Sequence, residues 1–107
     1  LGVVRVSGVD GGFRYVTPEA GATLHDRRIL ERELRDYLLS VKPAGNLLVL
    51  RTAAGHAQSV CEAVDRIGWE EVVGTIAGEN TIFVATVGAA AAATLERRIA
   101  AVIGGGA

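Results

Sequence analysis

The segment "GTIAGENTIFVAT", residues 74–86, decides how this chain folds, because two apolar runs flank a short polar interruption. The interruption is Glu79-Asn80, which follows a glycine and precedes a threonine. Two runs of strand-forming residues separated by so short a turn are typical of an antiparallel hairpin. We therefore predict two paired strands here. The open question is whether the turn only reverses the chain or also binds a ligand.

The residues before this hairpin change to a helical period. Thr23 and Asp26 have the spacing of a capping box. Apolar residues then recur at helical spacing as far as Val41, and a proline and a glycine follow. These signals predict a helix from about Leu24 to Val41, preceded by a linker over residues 19–23.

Two further elements are predicted between that helix and the hairpin. The segment "NLLVLRT" predicts a short, largely buried strand over residues 47–52. The segment "AAGHAQSVCEAVDRIG" predicts a second helix, since its apolar residues share one helical face and Gly68 stands where a left-handed cap is needed. Because the single cysteine is on that face, we predict a buried structural thiol. The face consists of Ala57, Val60, Cys61, Val64 and Ile67.

The C-terminal segment "GAAAAATLERRIAAVIGGG" predicts a third helix, since Leu95, Ile99, Val102 and Ile103 keep a helical stripe within residues of high helix propensity. The resulting order is helix-strand-helix-strand-strand-helix. It predicts an α+β domain of two layers, with helices packed on one face of a small, mainly antiparallel sheet.

The N-terminal residues 1–18 predict a β-hairpin with a glycine-rich tip, because "VVRVS" alternates apolar and polar residues and "FRYVT" resumes after the glycines. A two-stranded hairpin is only marginally stable alone, so it is expected to dock on another element. Since the chain begins with Leu1 rather than Met, we expect it to be a piece of a longer protein.

The composition narrows the classes of function. A formal net charge of −1 gives no global reason to bind nucleic acid or an anionic membrane. A mean hydropathy of +0.33 favours apolar surface shared between subunits. The single cysteine fits a reducing cytoplasm, and no apolar run approaches the roughly 20 residues of a membrane span. We expect a cytoplasmic protein with no membrane partner.

Catalysis has little support in the sequence. The two histidines, His25 and His56, begin predicted helices, and neither stands near a serine or cysteine at a telling spacing. No phosphate-binding loop or metal-ligand spacing is present. We therefore predict neither an enzyme nor a metal site, and keep a small enzyme of similar fold only as an alternative that would need demonstrated turnover.

The most informative polar residues are Gln58, Glu62 and Asp65, which share one face of the second helix. Such a face is often simply solvated. Together with the Glu79-Asn80 turn, it would instead form an acceptor-rich site suited to a cation, and a guanidinium is the cation best held by forked hydrogen bonds. The spacing alone leaves both interpretations open.

Three motifs within residues 45–84 carry a family resemblance: the strand end Leu-Arg-Thr, the helix start Gly-x-Ala-Gln, and the hairpin Gly-Thr-Ile-Ala-Gly-Glu-Asn-Thr-Ile. They strongly resemble the effector-binding core of the bacterial arginine repressors. Residues 1–18 look like the wing of that family's winged helix-turn-helix domain. The resemblance implies an oligomerisation and effector domain over residues 24–107, which forms trimers that pair into hexamers and binds L-arginine between them. It also implies repression of arginine biosynthesis genes, with operator DNA bound through a domain largely absent here.

The resemblance also implies roles for single residues. Gln58 matches a glutamine that contacts the ligand, and Asp65 matches an aspartate that pairs with the ligand's α-amino group. The backbone from Gly55 to Ala57 would meet the ligand's carboxylate at a helix N-terminus. Within that stretch, His56 stands where the family varies.

The turn residues Glu79 and Asn80 fall on the Asp-Asp pair that receives the guanidinium in the family. Asn80 replaces a carboxylate by an amide, which donates as well as accepts. A hydrogen bond to a charged group contributes about 1.5–3 kcal/mol, against about 0.5–1.5 kcal/mol for a neutral one. The lost charge would weaken arginine binding on the order of tenfold. The alternative is therefore a ligand-blind or altered-ligand oligomerisation module of a related DNA-binding regulator.

Two arginines would lie on the wing. Arg5 and Arg14 would contact DNA phosphates there, or else be ordinary polar residues on the exposed face of a hairpin. Without the helix-turn-helix, any such contact would be weak and salt-sensitive.

Overall fold

The computed structural model describes residues 3–6 and 22–104 of the chain. In these residues three helices pack against one face of an antiparallel sheet, which confirms the predicted α+β class. The strand order is β1-β4-β5-β3-β2, and every neighbouring pair is antiparallel. In chain order the elements are β1 (Val3–Val6), α1 (Leu24–Tyr37), β2 (Leu38–Ala44), β3 (Leu47–Thr52), α2 (Ala57–Ile67), β4 (Gly74–Ala77), β5 (Thr81–Ala85) and α3 (Ala89–Ile103).

A single hydrophobic core lies between the sheet and the helices. Strands β3, β4 and β5 contribute alternate residues, as the period of two requires, and the helices contribute one apolar stripe each. Aromatic residues supply little of it, since Trp69 is the one buried aromatic residue among those that the structure describes. The largest buried side chains are Leu30, Leu34, Leu48, Leu50, Ile67, Ile82, Leu95, Ile99, Val60, Val64 and Val84.

The first helix begins as predicted but ends earlier. The hydroxyl of Thr23 accepts from the amide of Asp26, and the Asp26 carboxylate accepts from the amide of Thr23, both over 3.0 Å. The predicted extension to Val41 is wrong, because α1 ends at Tyr37 and residues 38–44 form strand β2. Leu38 and Val41 fit helical spacing, yet they pack against the same core from a strand paired with β3.

The turn after β2 explains how a strand replaces the end of the helix. Gly45, with a φ of 63°, and Asn46 connect β2 to β3 as a two-residue hairpin. A positive φ at this position suits glycine. Pro43 is tolerated because β2 is an edge strand, where a missing N–H leaves no ladder partner unmatched. The Gly-Asn pair between two apolar runs was the sequence signal that could have revealed β2.

The remaining core elements follow the sequence. Strand β3 has the predicted bounds, and the five predicted apolar residues of α2 are all buried, including the thiol of Cys61. Gly68 ends α2 in the left-handed conformation, with a φ of 74°. The predicted hairpin is confirmed as β4 and β5. In α3, Leu95 and Ile99 are buried.

Strand β1 pairs with β4, so that Val4 stands opposite Ile76 and Arg5 opposite Thr75. It therefore docks on the sheet of the core. Residues 7–21 lie outside the described residues, and with them the predicted second strand of the hairpin and Arg14. The division of the chain into wing, linker and core stays a prediction.

Candidate ligand site

Backbone hydrogen bonds hold the Glu79-Asn80 turn against the start of α2. The carbonyl of Glu79 accepts from the amide of Gly55 over 2.9 Å and from the amide of Ala57 over 3.3 Å. The carbonyl of Asn80 accepts from the amide of Thr52 at the end of β3 over 2.8 Å. The end of β3, the loop before α2 and the hairpin turn thus form one unit, which we call the turn unit (residues 52–57 and 79–80).

Helix α2 starts without a side-chain cap. Its N-cap residue His56 makes no capping hydrogen bond, and the first turn contains no acidic residue. The amide of Ala57 is already engaged with Glu79. The next two amides, of Gln58 and Ser59, belong to the first turn, where helix N–H groups have no partner within the helix. Such an end attracts an anion, both through these donors and through the helix dipole.

The ring of His56 packs on Tyr37 at the end of α1. The two ring centroids are 3.7 Å apart and the planes differ by 11°. The carbonyl of Tyr37 also accepts from the amide of Ala53 over 2.9 Å. Tyr37 thereby fixes the loop before α2 through both its ring and its backbone.

The polar side chains of α2 lie in two environments, one beside strand β4 and one in solvent. The amide group of Gln58 lies 3.4 Å from the carbonyl of Ala77, as a long hydrogen bond, and Asp65 accepts from the hydroxyl of Thr75 over 2.9 Å. Both partners belong to β4. Glu62 is exposed and lies 3.9 Å from the guanidinium of Arg66. Gln58 and Asp65 therefore lie along β4, while Glu62 belongs to the solvated side.

The turn itself presents its side chains to solvent. Glu79 and Asn80 are both exposed. The side-chain oxygen of Asn80 accepts from the hydroxyl of Thr81 over 2.9 Å. The turn therefore offers one exposed carboxylate next to one exposed amide, directly beside the start of α2.

Comparison with known proteins shows the family of the chain. Residues 34–101 match the family model described as "Arginine repressor, C-terminal domain". This chain belongs to the arginine repressor family. A relative from Desulfitobacterium hafniense, named arginine repressor, is 36% identical over 100 residues, which cover 94% of this chain and 67% of the relative. The same name belongs to a relative from Caldicellulosiruptor bescii, 38% identical over 99% of this chain and 69% of the relative.

A third arginine repressor, from Thermus thermophilus, is 37% identical over 103 residues, which cover 96% of this chain and 63% of the relative. The chain thus spans about two-thirds of the length of these repressors. The names of the relatives describe regulators rather than enzymes.

Two residues that contact the candidate site were not predicted from the sequence, namely Thr75, which donates to Asp65, and Tyr37, which packs on His56. Thr75 is 4% exposed and looks from the sequence like an ordinary strand residue. Tyr37 fits the apolar stripe of α1, and only the fold shows that its ring faces His56. The side chain of Arg5 lies outside the described part of the chain, as does all of Arg14.

Among the described residues, no three histidine, cysteine, aspartate or glutamate side chains are grouped so that they could hold a metal ion. Within the same part of the chain, no helix has the length and apolar character to cross a membrane.

Proposed function

We propose that this chain is the core of an arginine-responsive transcriptional regulator, which assembles trimers that pair into hexamers and binds L-arginine between the trimers. The observation that carries this proposal is the turn unit, in which the carbonyl of Glu79 bonds to the amides of Gly55 and Ala57. It brings Glu79, an exposed residue with a carboxylate side chain, next to a helix N-terminus that has no side-chain cap. An amino acid with a cationic side chain carries charges that complement both.

Each polar group of the ligand has a candidate partner. The start of α2, including His56, Ala57 and the side chain of Gln58, supports carboxylate binding because its first-turn amides and the helix dipole favour an anion. Asp65 supports binding of the α-amino group. Glu79 and Asn80 would receive the guanidinium, the first through charge and the second through its side-chain amide.

These groups are spread over the subunit. Gln58 and Asp65 are seven residues apart on α2, and the helical rise of 1.5 Å per residue puts about 10 Å between them. Glu79 lies beside the Gln58 end. We therefore propose that one bound arginine uses groups from neighbouring subunits, so that binding and assembly are linked.

The uncovered face of the sheet supports self-assembly. On this face Phe83, which is 45% exposed, stands opposite Ile76, which is 40% exposed, and also opposite Val49 on the other side. The water-facing side of an antiparallel sheet normally carries polar residues. Adjacent apolar side chains on this face instead form a continuous apolar surface, which is typical of an interaction site. A second copy of the chain is the proposed partner for this surface.

The proposed regulator binds operator DNA through the N-terminal domain, of which residues 1–18 would be the wing, with Arg5 and Arg14 near phosphates. Its targets would be arginine biosynthesis genes, and it would act in the bacterial cytoplasm. L-arginine would be its effector, with no other cofactor required.

Sedimentation and calorimetry with L-arginine test the proposal. We expect the chain to sediment as trimers or hexamers and to bind L-arginine saturably, with a shift towards hexamers. L-citrulline, which replaces the guanidinium by a neutral ureido group, is the matched control ligand and should bind more weakly. A monomer that ignores millimolar arginine would overturn the proposal.

One observation favours the second candidate, a ligand-blind or altered-ligand oligomerisation module. Asn80 carries no charge, and its side-chain oxygen is already hydrogen-bonded to Thr81. Assembly that is identical with and without arginine, and no binding of arginine, would support this alternative.

A further inference from the structure

Strand β4 provides hydrogen-bond partners for two polar side chains of α2, Gln58 and Asp65. Thr75 and Ala77 are alternate residues of β4, and both face the helices, with exposed fractions of 4% and 1%. Ala77 accepts from Gln58 through its carbonyl, and Thr75 donates to Asp65 through its hydroxyl. The two contacts differ in strength, since the first is a long hydrogen bond at 3.4 Å and the second is charge-assisted at 2.9 Å.

The hydroxyl of Thr75 lies between the two oxygens of the Asp65 carboxylate. Its distances to them are 2.9 Å and 3.1 Å. A hydroxyl has one proton, so it donates to one carboxylate oxygen at a time and restrains the rotation of the group. Because Thr75 is buried and its β-branched side chain is stiff about χ1, the donor itself moves little.

We propose that Thr75 is a positioning residue for ligand recognition, which orients the Asp65 carboxylate towards the α-amino group of the bound amino acid. This inference rests on the proposed function, since it assumes that Asp65 binds that amino group. It assigns Thr75 no contact with the ligand. Without this donor the Asp65 carboxylate loses one of its restraints, and with it part of the orientation that makes its hydrogen bond to an ammonium effective.

The test removes the Thr75 hydroxyl and compares two ligands. Thr75→Val keeps the shape of the side chain, and Thr75→Ser restores the donor. Calorimetry is run with L-arginine and with 5-guanidinopentanoic acid, which is arginine without the α-amino group. We expect Thr75→Val to bind arginine on the order of tenfold more weakly, as the loss of a hydrogen bond to a charged group implies. Its affinity for the analogue should equal that of the wild type, and Thr75→Ser should recover arginine binding.

Thr86→Val is the matched control for a buried hydroxyl. Thr86 is 3% exposed and donates to the carbonyl of Asn46 over 2.7 Å, away from Asp65. The Thr86→Val variant should lose thermal stability as Thr75→Val does, but it should bind arginine with the affinity of the wild type. Sedimentation of every variant shows whether the assembly is intact.

Each outcome has one meaning. The positioning role is wrong, and the proposed function stands, if the wild-type chain binds arginine and Thr75→Val binds it equally well. The same conclusion follows if Thr75→Val loses affinity for arginine and for the analogue to the same extent. If the wild type binds neither compound, the proposed function is wrong and the inference falls with it.

Discussion

The carbonyl oxygen of Glu79 accepts a hydrogen bond from the amide of Gly55 over 2.9 Å, and this contact joins the hairpin turn to the loop before α2. The two residues are 24 positions apart in sequence. Gly55 reaches this position with a φ of 85°, a conformation that L side chains rarely adopt. The geometry of the candidate site therefore depends on a backbone conformation as well as on side chains.

We expect Gly55→Ala to destabilise the domain and to weaken arginine binding. A Cβ at Gly55 meets no atom within 4 Å, so the cost comes from the backbone conformation alone. It should be about 1–2 kcal/mol in the free energy of unfolding. Urea unfolding measures the stability change, and calorimetry measures the affinity.

The matched control is Gly88→Ala. A Cβ at Gly88 would also meet no atom within 4 Å, but the φ of 173° at this residue is extended backbone that any residue adopts. The unfolding free energy of this variant should differ from that of the wild type by no more than about 0.5 kcal/mol. Equal losses in both variants would contradict the role given to the Gly55 conformation.

Asn80→Asp should strengthen arginine binding. The aspartate keeps an acceptor for the Thr81 hydroxyl and adds a charge beside Glu79, which a guanidinium then neutralises. We expect a gain on the order of tenfold in affinity, and an opposite change of similar size for Glu79→Gln. Calorimetry in low salt measures both. Unchanged affinity of Asn80→Asp would show that the Asn80 amide does not limit arginine binding.

Phe83→Asp should break the assembly without unfolding the subunit. Phe83 lies on the uncovered face of the sheet beside Ile76, so a charge there makes burial against a second copy costly. We expect smaller species in sedimentation and little change in circular dichroism. Val87→Asp is the control, because Val87 is 83% exposed and lies outside the strands. Unchanged assembly in Phe83→Asp would exclude this face as the interface.

The ion pair of Glu71 with Arg98 should make stability depend on pH. The guanidinium donates to both carboxylate oxygens, over 2.9 Å and 3.1 Å. Burial raises the pKa of Glu71, but the hydrogen bonds from Arg98, a backbone hydrogen bond and the charge of Arg98 together more than offset it, so that the pKa lies below the ordinary 4.5. Ionised Glu71 therefore stabilises the folded state above about pH 4.5. This contribution is lost as the pH falls through the pKa that Glu71 has in the folded state.

We therefore expect Glu71→Gln to cost on the order of 1 kcal/mol at pH 7, a modest figure because Arg98 remains partly in water. The difference from the wild type should shrink as the pH is lowered below 4.5. Glu31→Gln is the control, since Glu31 is much more exposed than Glu71 and its ion pair with Arg35 lies within one helix, where such a pair contributes little. A difference for Glu71→Gln that is constant with pH would contradict the ionic contribution.

Much of the fold is readable from local pattern. The capping box at Thr23, the apolar face of α2 and the left-handed Gly68 are set by residues a few positions apart, and the structure confirms all three. The Glu79-Asn80 turn is likewise a local signal. The error at the end of α1 has a physical cause: Leu38 and Val41 satisfy the helical period, while the pairing with β3 that makes them strand residues is a contact between segments.

The sequence by itself determined the types of the described elements other than β2, the α2 face and the family motifs, because helix and turn preferences act over a few residues. Only the tertiary structure decided that β1 pairs with β4, that Glu79 bonds to the start of α2, and that Thr75 holds Asp65. These contacts join residues 10 to more than 70 positions apart. No local preference encodes them, since they form only when the whole core packs and brings distant donors and acceptors within reach.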